Sequence, residues 1–290
     1  MQLTDPKVIK EVLSKNGFSF KKSLGQNFLI NPSVCPKMAE SAVCNGEEAV
    51  IEIGPGIGVL TAELAKRAKN VVCIEIDERL RPVLPETLAE FNNVEVIFGD
   101  CMKLDIAKII EERFKGKKVS VCANLPYYIT SPIIMMLLES RLPITSLTVM
   151  VQKEAADRIC AKVSSREAGA VTVAVNYYSS PEVLFNVSRG SFMPPPNVDS
   201  SVIRLDVRPE PSVKVDDEKG FFKFVRSAFG QRRKTLLNCL SNLGNFGFSK
   251  EELTEIIQSL GWDERIRGEA LGLEEFAALT DRIAERKANK

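Results

Sequence analysis

The sequence predicts an α/β fold: a parallel sheet wrapped by helices and ending in an antiparallel terminal strand, with a small all-α C-terminal domain after it. Three observations carry this reading. Short β-branched runs alternate with stretches of helical spacing through the first half of the chain. Two later strand-like runs follow one another without a helix between them, and beyond a proline-rich break the pattern is helical to the end.

The strands expected from the first rhythm are Ala49–Ile53, Val71–Ile76, Val94–Phe98, Val119–Ala123 and Leu147–Gln152. Between them, Gly58–Ala68, Asp77–Glu90, about Asp105–Phe114 and Ser131–Glu139 carry the spacing of helices. Gly169–Tyr178 fits either a strand or a helix. Val183–Val187 and Ser201–Val207 then read as strands, which makes the end of the sheet an antiparallel, hairpin-like pair. Arg208-Pro209-Glu210-Pro211-Ser212 has the composition of a linker. Beyond it, Phe221, Phe222, Val225 and Phe229 share one helical stripe, and Leu253, Ile256, Ile257 and Leu260 another. The expected division is 1–30 as a basic N-terminal segment, 31–208 as the α/β domain and 209–290 as the helical domain.

With 290 residues, 44% of them hydrophobic and 27% charged, the chain can bury a sizeable core. Its longest apolar run, Pro132–Leu138, is too short to span a bilayer, and the N-terminus lacks the apolar stretch of a secretion signal. There is no histidine, which excludes a Ser-His-Asp triad, an imidazole base and any His-ligated metal. Seven cysteines, at 35, 44, 73, 101, 122, 160 and 239, form no C-x-x-C pair and sit mostly in apolar runs. They read as reduced thiols of a cytoplasmic protein without a metal site.

A net charge of +1 conceals an asymmetry. From Glu47 to Lys117 fourteen acidic residues stand against ten basic ones, whereas Lys219 to Lys234 holds six basic residues and no acidic one. Met1 to Asn27 adds five lysines against Asp5 and Glu11. Two basic flanks around a mildly acidic centre fit a polyanion gripped at both ends; for either flank alone, a solvated helix face is the plainer alternative.

After the first strand of the sheet comes Glu52-Ile53-Gly54-Pro55-Gly56-Ile57-Gly58, feeding a helix. Glycines there permit a tight turn and let a ligand approach the main chain. The spacing is G-x-G-x-G, with Val59 where a dinucleotide loop has its third glycine, and no lysine-hydroxyl pair makes it a phosphate cradle. Glu75 ends the second strand, placed to accept hydrogen bonds from two ribose hydroxyls. Asp100 follows the third strand, suited to a purine edge, and Asn124 follows the fourth. A plain βα turn or an exposed helix-start carboxylate would explain any one of these. Four at consecutive strand ends point to a ligand site. The E-x-G-x-G-x-G loop resembles that of the S-adenosylmethionine-dependent methyltransferases, which implies a Rossmann-like class I methyltransferase sheet and S-adenosylmethionine as cofactor. A nicotinamide enzyme fits less well, because nothing downstream suits hydride chemistry.

Asn124-Leu125-Pro126-Tyr127 follows a buried strand directly. An adenine amine is a poor nucleophile, since its lone pair is delocalised into the ring. Two acceptors, the Asn124 side-chain oxygen and the Leu125 carbonyl, can each take one amino hydrogen and leave the lone pair aimed at a methyl donor. Pro126 fixes the backbone between them, and Tyr127 can stack on the base. A strand followed by a proline turn is the plain alternative for this tetrapeptide alone.

Four segments together resemble the ribosomal RNA adenine dimethyltransferases: Leu24-Gly25-Gln26-Asn27-Phe28-Leu29, Asn124–Tyr127, Phe192-Met193-Pro194-Pro195-Pro196-Asn197-Val198-Asp199-Ser200, and Phe229-Gly230-Gln231-Arg232-Arg233-Lys234-Thr235. The resemblance runs from about residue 20 through the helical tail. It implies that the N-terminal segment closes over the cofactor, with Asn27 and Leu29 joining Gly54, Gly56, Glu75, Asp100 and Asn124 as contacts. It implies that Phe192 sandwiches a flipped adenine against Tyr127, and flipping is a physical requirement for reaching a buried methyl. Arg232, Arg233 and Lys234 are expected on RNA phosphates, which position a substrate without reading its sequence. Within the family the bacterial small-subunit branch is the most similar. That implies methylation of two adjacent adenosines in the 3′-terminal hairpin of 16S rRNA, within the small subunit or an assembly intermediate; a monomer is the default expectation, with no sequence feature behind it. The alternatives are a macrolide-resistance enzyme acting on 23S rRNA and a nucleic-acid-binding, transcription-factor-like use of the same fold.

Overall fold

The computed structural model describes residues 1–18, 27–43, 49–115, 117–231, 233–243 and 246–289. They form two compact units, Met1–Ala156 with Pro181–Val207 and Asp157–Ser180 with Arg208–Lys290.

The first unit opens with α1 (Pro6–Lys15), capped by the Asp5 carboxylate, which accepts from Lys7 N–H at 2.8 Å. Its apolar face, Ile9, Val12 and Leu13, packs in one cluster with Phe28, Ile57, Leu80 and Leu88. The apolar face of α1 is thus built into the core of this unit. After it come β1 (Phe28–Leu29) and α2 (Val34–Ala42). The alternation follows: β2 (Ala49–Ile53), α3 (Val59–Ala65), β3 (Asn70–Glu75), α4 (Leu84–Thr87), β4 (Val94–Phe98), α5 (Ile106–Phe114), β5 (Val119–Asn124), α6 (Tyr127–Glu139), β6 (Ile144–Gln152) and α7 (Lys153–Ile159). Three further strands, β7 (Ser179–Val187), β8 (Phe192–Met193) and β9 (Ser200–Val207), complete the unit.

Seven strands make the main sheet, in the order β4-β3-β2-β5-β6-β9-β7. β2 pairs in parallel with β3 on one side and β5 on the other, β4 continues beyond β3, and β6 beyond β5. β2 is buried throughout, and β3 and β5 are buried at all but one end residue, as expected for strands covered on both faces. β9 runs antiparallel to β6, with Leu147 opposite Leu205. The antiparallel end expected from the sequence is present, with its strands interleaved: β9 lies between β6 and β7.

Two helical expectations change. Asp77–Glu90 is a 3-10 turn at Glu78–Leu80 followed by the short α4, because Pro82 and Pro85 each remove a backbone donor. In contrast, α6 starts four residues before its expected Ser131, so Tyr127 and Tyr128 occupy its first turn.

The second unit shows that Gly169–Tyr178 is helical: α8 (Ala170–Tyr178) is followed by α9 (Glu218–Phe229), α10 (Leu236–Leu243), α11 (Lys250–Ser259) and α12 (Leu273–Ala288). At the start of α8 the Thr172 hydroxyl accepts from Gly169 N–H at 2.9 Å and donates to the Arg158 carbonyl at 2.6 Å. Its end is anchored by aromatic packing, with the Tyr177 ring 5.1 Å from both Phe221 and Phe222. The Tyr177 and Tyr178 hydroxyls donate to Glu218 at 3.2 and 2.6 Å. Residues 157–180 therefore belong with the C-terminal helices, a departure from the contiguous 31–208 and 209–290 division. The expected linker is itself anchored there, since Arg208 N–H bonds Tyr178 O and Ser212 N–H bonds Tyr177 O. The six described cysteines form no disulfide, and Cys44 lies outside the described residues. Among the described residues no helix is long and apolar enough to cross a membrane.

Candidate active site

The strand order reverses between β2 and β5, and an open parallel sheet leaves a crevice at the carboxyl ends of strands at such a point. A pocket lies there. It is bordered by Gly54 and Gly56 after β2, Glu75 and Ile76 at the end of β3, Asp100 beyond β4, and Asn124 to Tyr128 at the end of β5. β1 and β8 pair antiparallel, Leu29 opposite Phe192, and bring Asn27, Leu29 and Phe192 to the same pocket.

The loop after β2 needs its glycines. Gly56 has φ +58° and a Cβ there would come within 3.1 Å of the Phe28 ring. Gly58 has φ +90° and caps α3, where a Cβ would lie 2.9 Å from Leu88. This geometry aims Gly56 N–H at the Glu75 carboxylate, 3.1 Å away. The other oxygen of Glu75 accepts from Asp77 N–H at 2.8 Å. Glu75 is only 4% exposed. Burial raises its pKa, backbone hydrogen bonds from Asp77 and Gly56 lower it, and the Asp77 charge raises it further. Ile76 N–H also bonds this carboxylate, and acceptor capacity is left over for a ligand hydroxyl.

At the end of β5, Asn124 is partly buried, and its side chain makes no hydrogen bond to another described residue. The Leu125 carbonyl likewise accepts none, whereas that of Pro126 is taken by Ile129 N–H at 3.1 Å and Thr130 Oγ1 at 3.0 Å. Two acceptors are therefore left available beside each other. Tyr127 is half-buried and its hydroxyl lies 2.8 Å from Ser200 Oγ, which fixes the ring. Burial raises the Tyr127 pKa, partly countered by that bond, and the nearby Asp199 charge raises it again.

Eleven residues singled out in the sequence thus meet in one pocket: Asn27, Leu29, Gly54, Gly56, Glu75, Asp100, Asn124, Leu125, Pro126, Tyr127 and Phe192. Phe192 differs from expectation in exposure. It is 3% exposed and packs in the hydrophobic cluster with Leu29 and Met38, so it forms pocket wall and core at once. Asp100 uses one oxygen on Met102 N–H at 3.0 Å. Arg233 and Lys234 are exposed in the second unit, between α9 and α10, and are not among the pocket residues. Arg232 and the Leu24-Gly25-Gln26 part of the N-terminal motif lie outside the described residues.

Sequence reasoning passed over Glu52, Ile76, Cys101 and Tyr128, all of which border the pocket. For Glu52 a signal existed, since it is the acidic residue that opens the glycine motif. Ile76 and Tyr128, 55% and 65% exposed, carry no motif; only their exposure at the pocket marks them.

S-adenosylmethionine carries a sulfonium and an ammonium, a ribose and an adenine. The pocket fits these chemically: Glu52, Glu75 and Asp100 are its acidic lining, no lysine or arginine borders it among the described residues, and Ile76 and Cys101 offer apolar surface to a purine.

The chain as a whole is similar to known proteins. The family model described as ribosomal RNA adenine dimethylase matches residues 17–268. Two curated relatives, each named ribosomal RNA small subunit methyltransferase A, come from Bacillus mycoides (strain KBAB4) and Bacillus cereus (strain B4264). The first is 50% identical over 283 residues, covering 97% of both chains; the second is 50% identical over 287 residues, covering 98% of both. Among solved structures, a dimethyladenosine transferase from Plasmodium falciparum superposes with a TM-score of 0.75 at 27% identity, covering 90% of this chain and 98% of that one. The 23S rRNA methyltransferase ErmE superposes with a TM-score of 0.67 at 26% identity, covering 89% of this chain and 100% of that one. Matched across most of its length, the chain belongs to the ribosomal RNA adenine dimethylase family and is an S-adenosylmethionine-dependent adenine dimethyltransferase.

Proposed function

We propose that the chain methylates the N6 amines of two adjacent adenosines in the 3′-terminal hairpin of 16S rRNA, within the small ribosomal subunit or a late assembly intermediate. The target rests on the small-subunit name of its half-identical relatives. Small-subunit assembly takes place in the cytoplasm of a bacterium, which is where this reading puts the enzyme.

The observation that carries the chemistry is the pair of unengaged acceptors, the Asn124 amide oxygen and the Leu125 carbonyl. S-adenosylmethionine supplies an electrophilic methyl group. Asn124 and Leu125 each take one hydrogen of the adenine amine and draw its nitrogen toward tetrahedral geometry, so that the lone pair projects away from the ring. Tyr127, held by Ser200, stacks on the extruded base, and Phe192 backs the opposite wall. Glu75 holds the ribose, Asp100 the purine edge, and Asn27 and Leu29 cover the cofactor from β1. No general base is needed, because the methylated amine loses its proton to solvent. Arg233 and Lys234, with Arg232 beside them in sequence, take RNA phosphates.

The test is methyl transfer from labelled S-adenosylmethionine to under-methylated small and large subunits, followed by nucleoside mass spectrometry. Dimethyladenosine confined to small-subunit RNA is the expected outcome. Label in the large subunit would overturn the target in favour of 23S rRNA.

A further inference from the structure

The methyl-transfer reading leaves one buried acid beneath the glycine loop without a task. Glu52 sits in β2, is 1% exposed, and still borders the pocket. Its carboxyl is held by the Thr61 hydroxyl on α3 and by Cys73 on β3, whose Sγ is 3.5 Å away. Among the described residues every titratable group acting on it or facing it is an acid: Cys73 and Glu75 on β3, Cys122 on β5 and Cys35 on α2. The cations just after α3 do not relieve this, because Lys66 and Arg67 are engaged by Glu63.

A buried carboxylate with no cation beside it is unfavourable. Burial lifts the Glu52 carboxyl to about 7; hydrogen bonds from Thr61 and Cys73 pull it down, and the Glu75 charge pushes it up. The thiols add no charge of their own, since burial raises the pKa of Cys35, Cys73 and Cys122 as well. What the cluster lacks is a positive charge; the cofactor brings an ammonium, which its product keeps, and a sulfonium, which becomes a neutral thioether once the methyl has left, so that only the sulfonium can tell the two apart.

We propose that Glu52 senses the charge of the cofactor: it is protonated in the empty pocket, loses its proton to solvent as S-adenosylmethionine enters, and takes one back from solvent when transfer leaves S-adenosylhomocysteine. This rests on the reading of the pocket as the cofactor site. It makes Glu52 a specificity-determining residue that favours cofactor over product, and the preference grows as the pH rises through the physiological range.

Calorimetric titration of the full chain with each ligand, in two buffers of different ionisation enthalpy, reads the proton directly. With S-adenosylmethionine, release of more than half a proton per site is expected near about pH 6.5, and with S-adenosylhomocysteine little. The ratio of product to cofactor dissociation constants should rise about tenfold between roughly pH 6 and 7.5. In Glu52→Gln both the proton release and this pH dependence should disappear. Cofactor binding with no buffer dependence, release that persists in Glu52→Gln, or equal release with the two ligands overturns the inference. Should that variant fail to fold, Thr61→Val decides the assignment: loss of the hydroxyl that lowers the Glu52 pKa should move the release to higher pH, and an unmoved release overturns the inference. Absence of any cofactor binding would overturn the pocket reading together with this inference, whereas binding without proton release overturns this inference alone.

Discussion

The pocket of the first unit and the helical surface of the second carry opposite charge by different means. In the pocket the acidic groups are carboxyls at strand ends, two of them, Glu52 and Glu75, almost wholly removed from water. On the helices, Lys219, Lys223, Arg226, Arg233 and Lys234 are all exposed. Buried charge acts at short range and is barely screened, so it can discriminate one small cation from a close relative. Exposed charge is screened over about 8–10 Å at ordinary ionic strength, so it attracts a long polyanion without choosing its sequence. On the proposed reading one chain separates recognition of a small ligand from capture of a large one, and the two should respond differently to mutation, pH and salt.

The sharpest way to break that comparison is at Asn124. Asn124→Ala should lower single-turnover methyl transfer by about 10²–10³-fold, as for loss of one transition-state hydrogen-bond partner, while calorimetric cofactor affinity stays within several-fold. Full activity would remove the residue from the chemistry.

Next in size is a pH effect on stability. The folded-state pKa of Glu52 lies above the usual carboxylate range, at about 7, so the folded state binds more protons than the unfolded state between those values. Its contribution is fully present below the unfolded pKa and is lost as pH rises through about 7. Relative to Glu52→Gln, the wild-type chain should lose on the order of 3 kcal/mol between about pH 4.5 and 7.5 in denaturant melts. Parallel pH profiles would show that the acid is not buried as described.

Glu75→Ala should raise the cofactor dissociation constant about ten- to a hundredfold, because a charged acceptor is lost and Gly56 N–H is left unpaired. Unchanged affinity would sink the ribose assignment. The smallest effect is expected on the helical side: Arg233→Ala with Lys234→Ala should weaken RNA binding several-fold and lower the slope of log affinity against log salt by about 1.5, with cofactor binding untouched. An unaltered slope would return both residues to solvated surface and collapse the contrast.

Much of the first unit was legible in the sequence because its signals are local. The glycine loop, Glu75, Asp100 and Asn124 each stand at the end of a β-branched run, and a parallel sheet brings such ends to one edge. Where the reading stayed open or changed, distant packing decides. The Ala170–Tyr178 segment contains three valines, which favour strands, yet the aromatic rings of α9 and the carboxylate of Glu218 hold it as a helix. That same packing takes residues 157–180 into the second unit, a partition that no linker composition announces. Phe192 read as a stacking face; its burial follows from pairing with Leu29, a contact between remote segments. Glu52 was visible as a letter of the motif, but its ionisation depends on neighbours from three other elements.

The small ribbon of β1 and β8 has a consequence for how the chain is made. It joins residues near the beginning of the chain to residues that emerge only after β7, and both segments border the pocket. A nascent chain that has already completed β2 through β6 still lacks the partner of β1, so this wall stays open until synthesis passes Met193. Such a long-separation contact forms late, after the local βα units have settled. Competence to hold the cofactor should therefore arise in a single late step of synthesis, and chains truncated before Phe192 should carry most of the parallel sheet yet fail to retain the ligand.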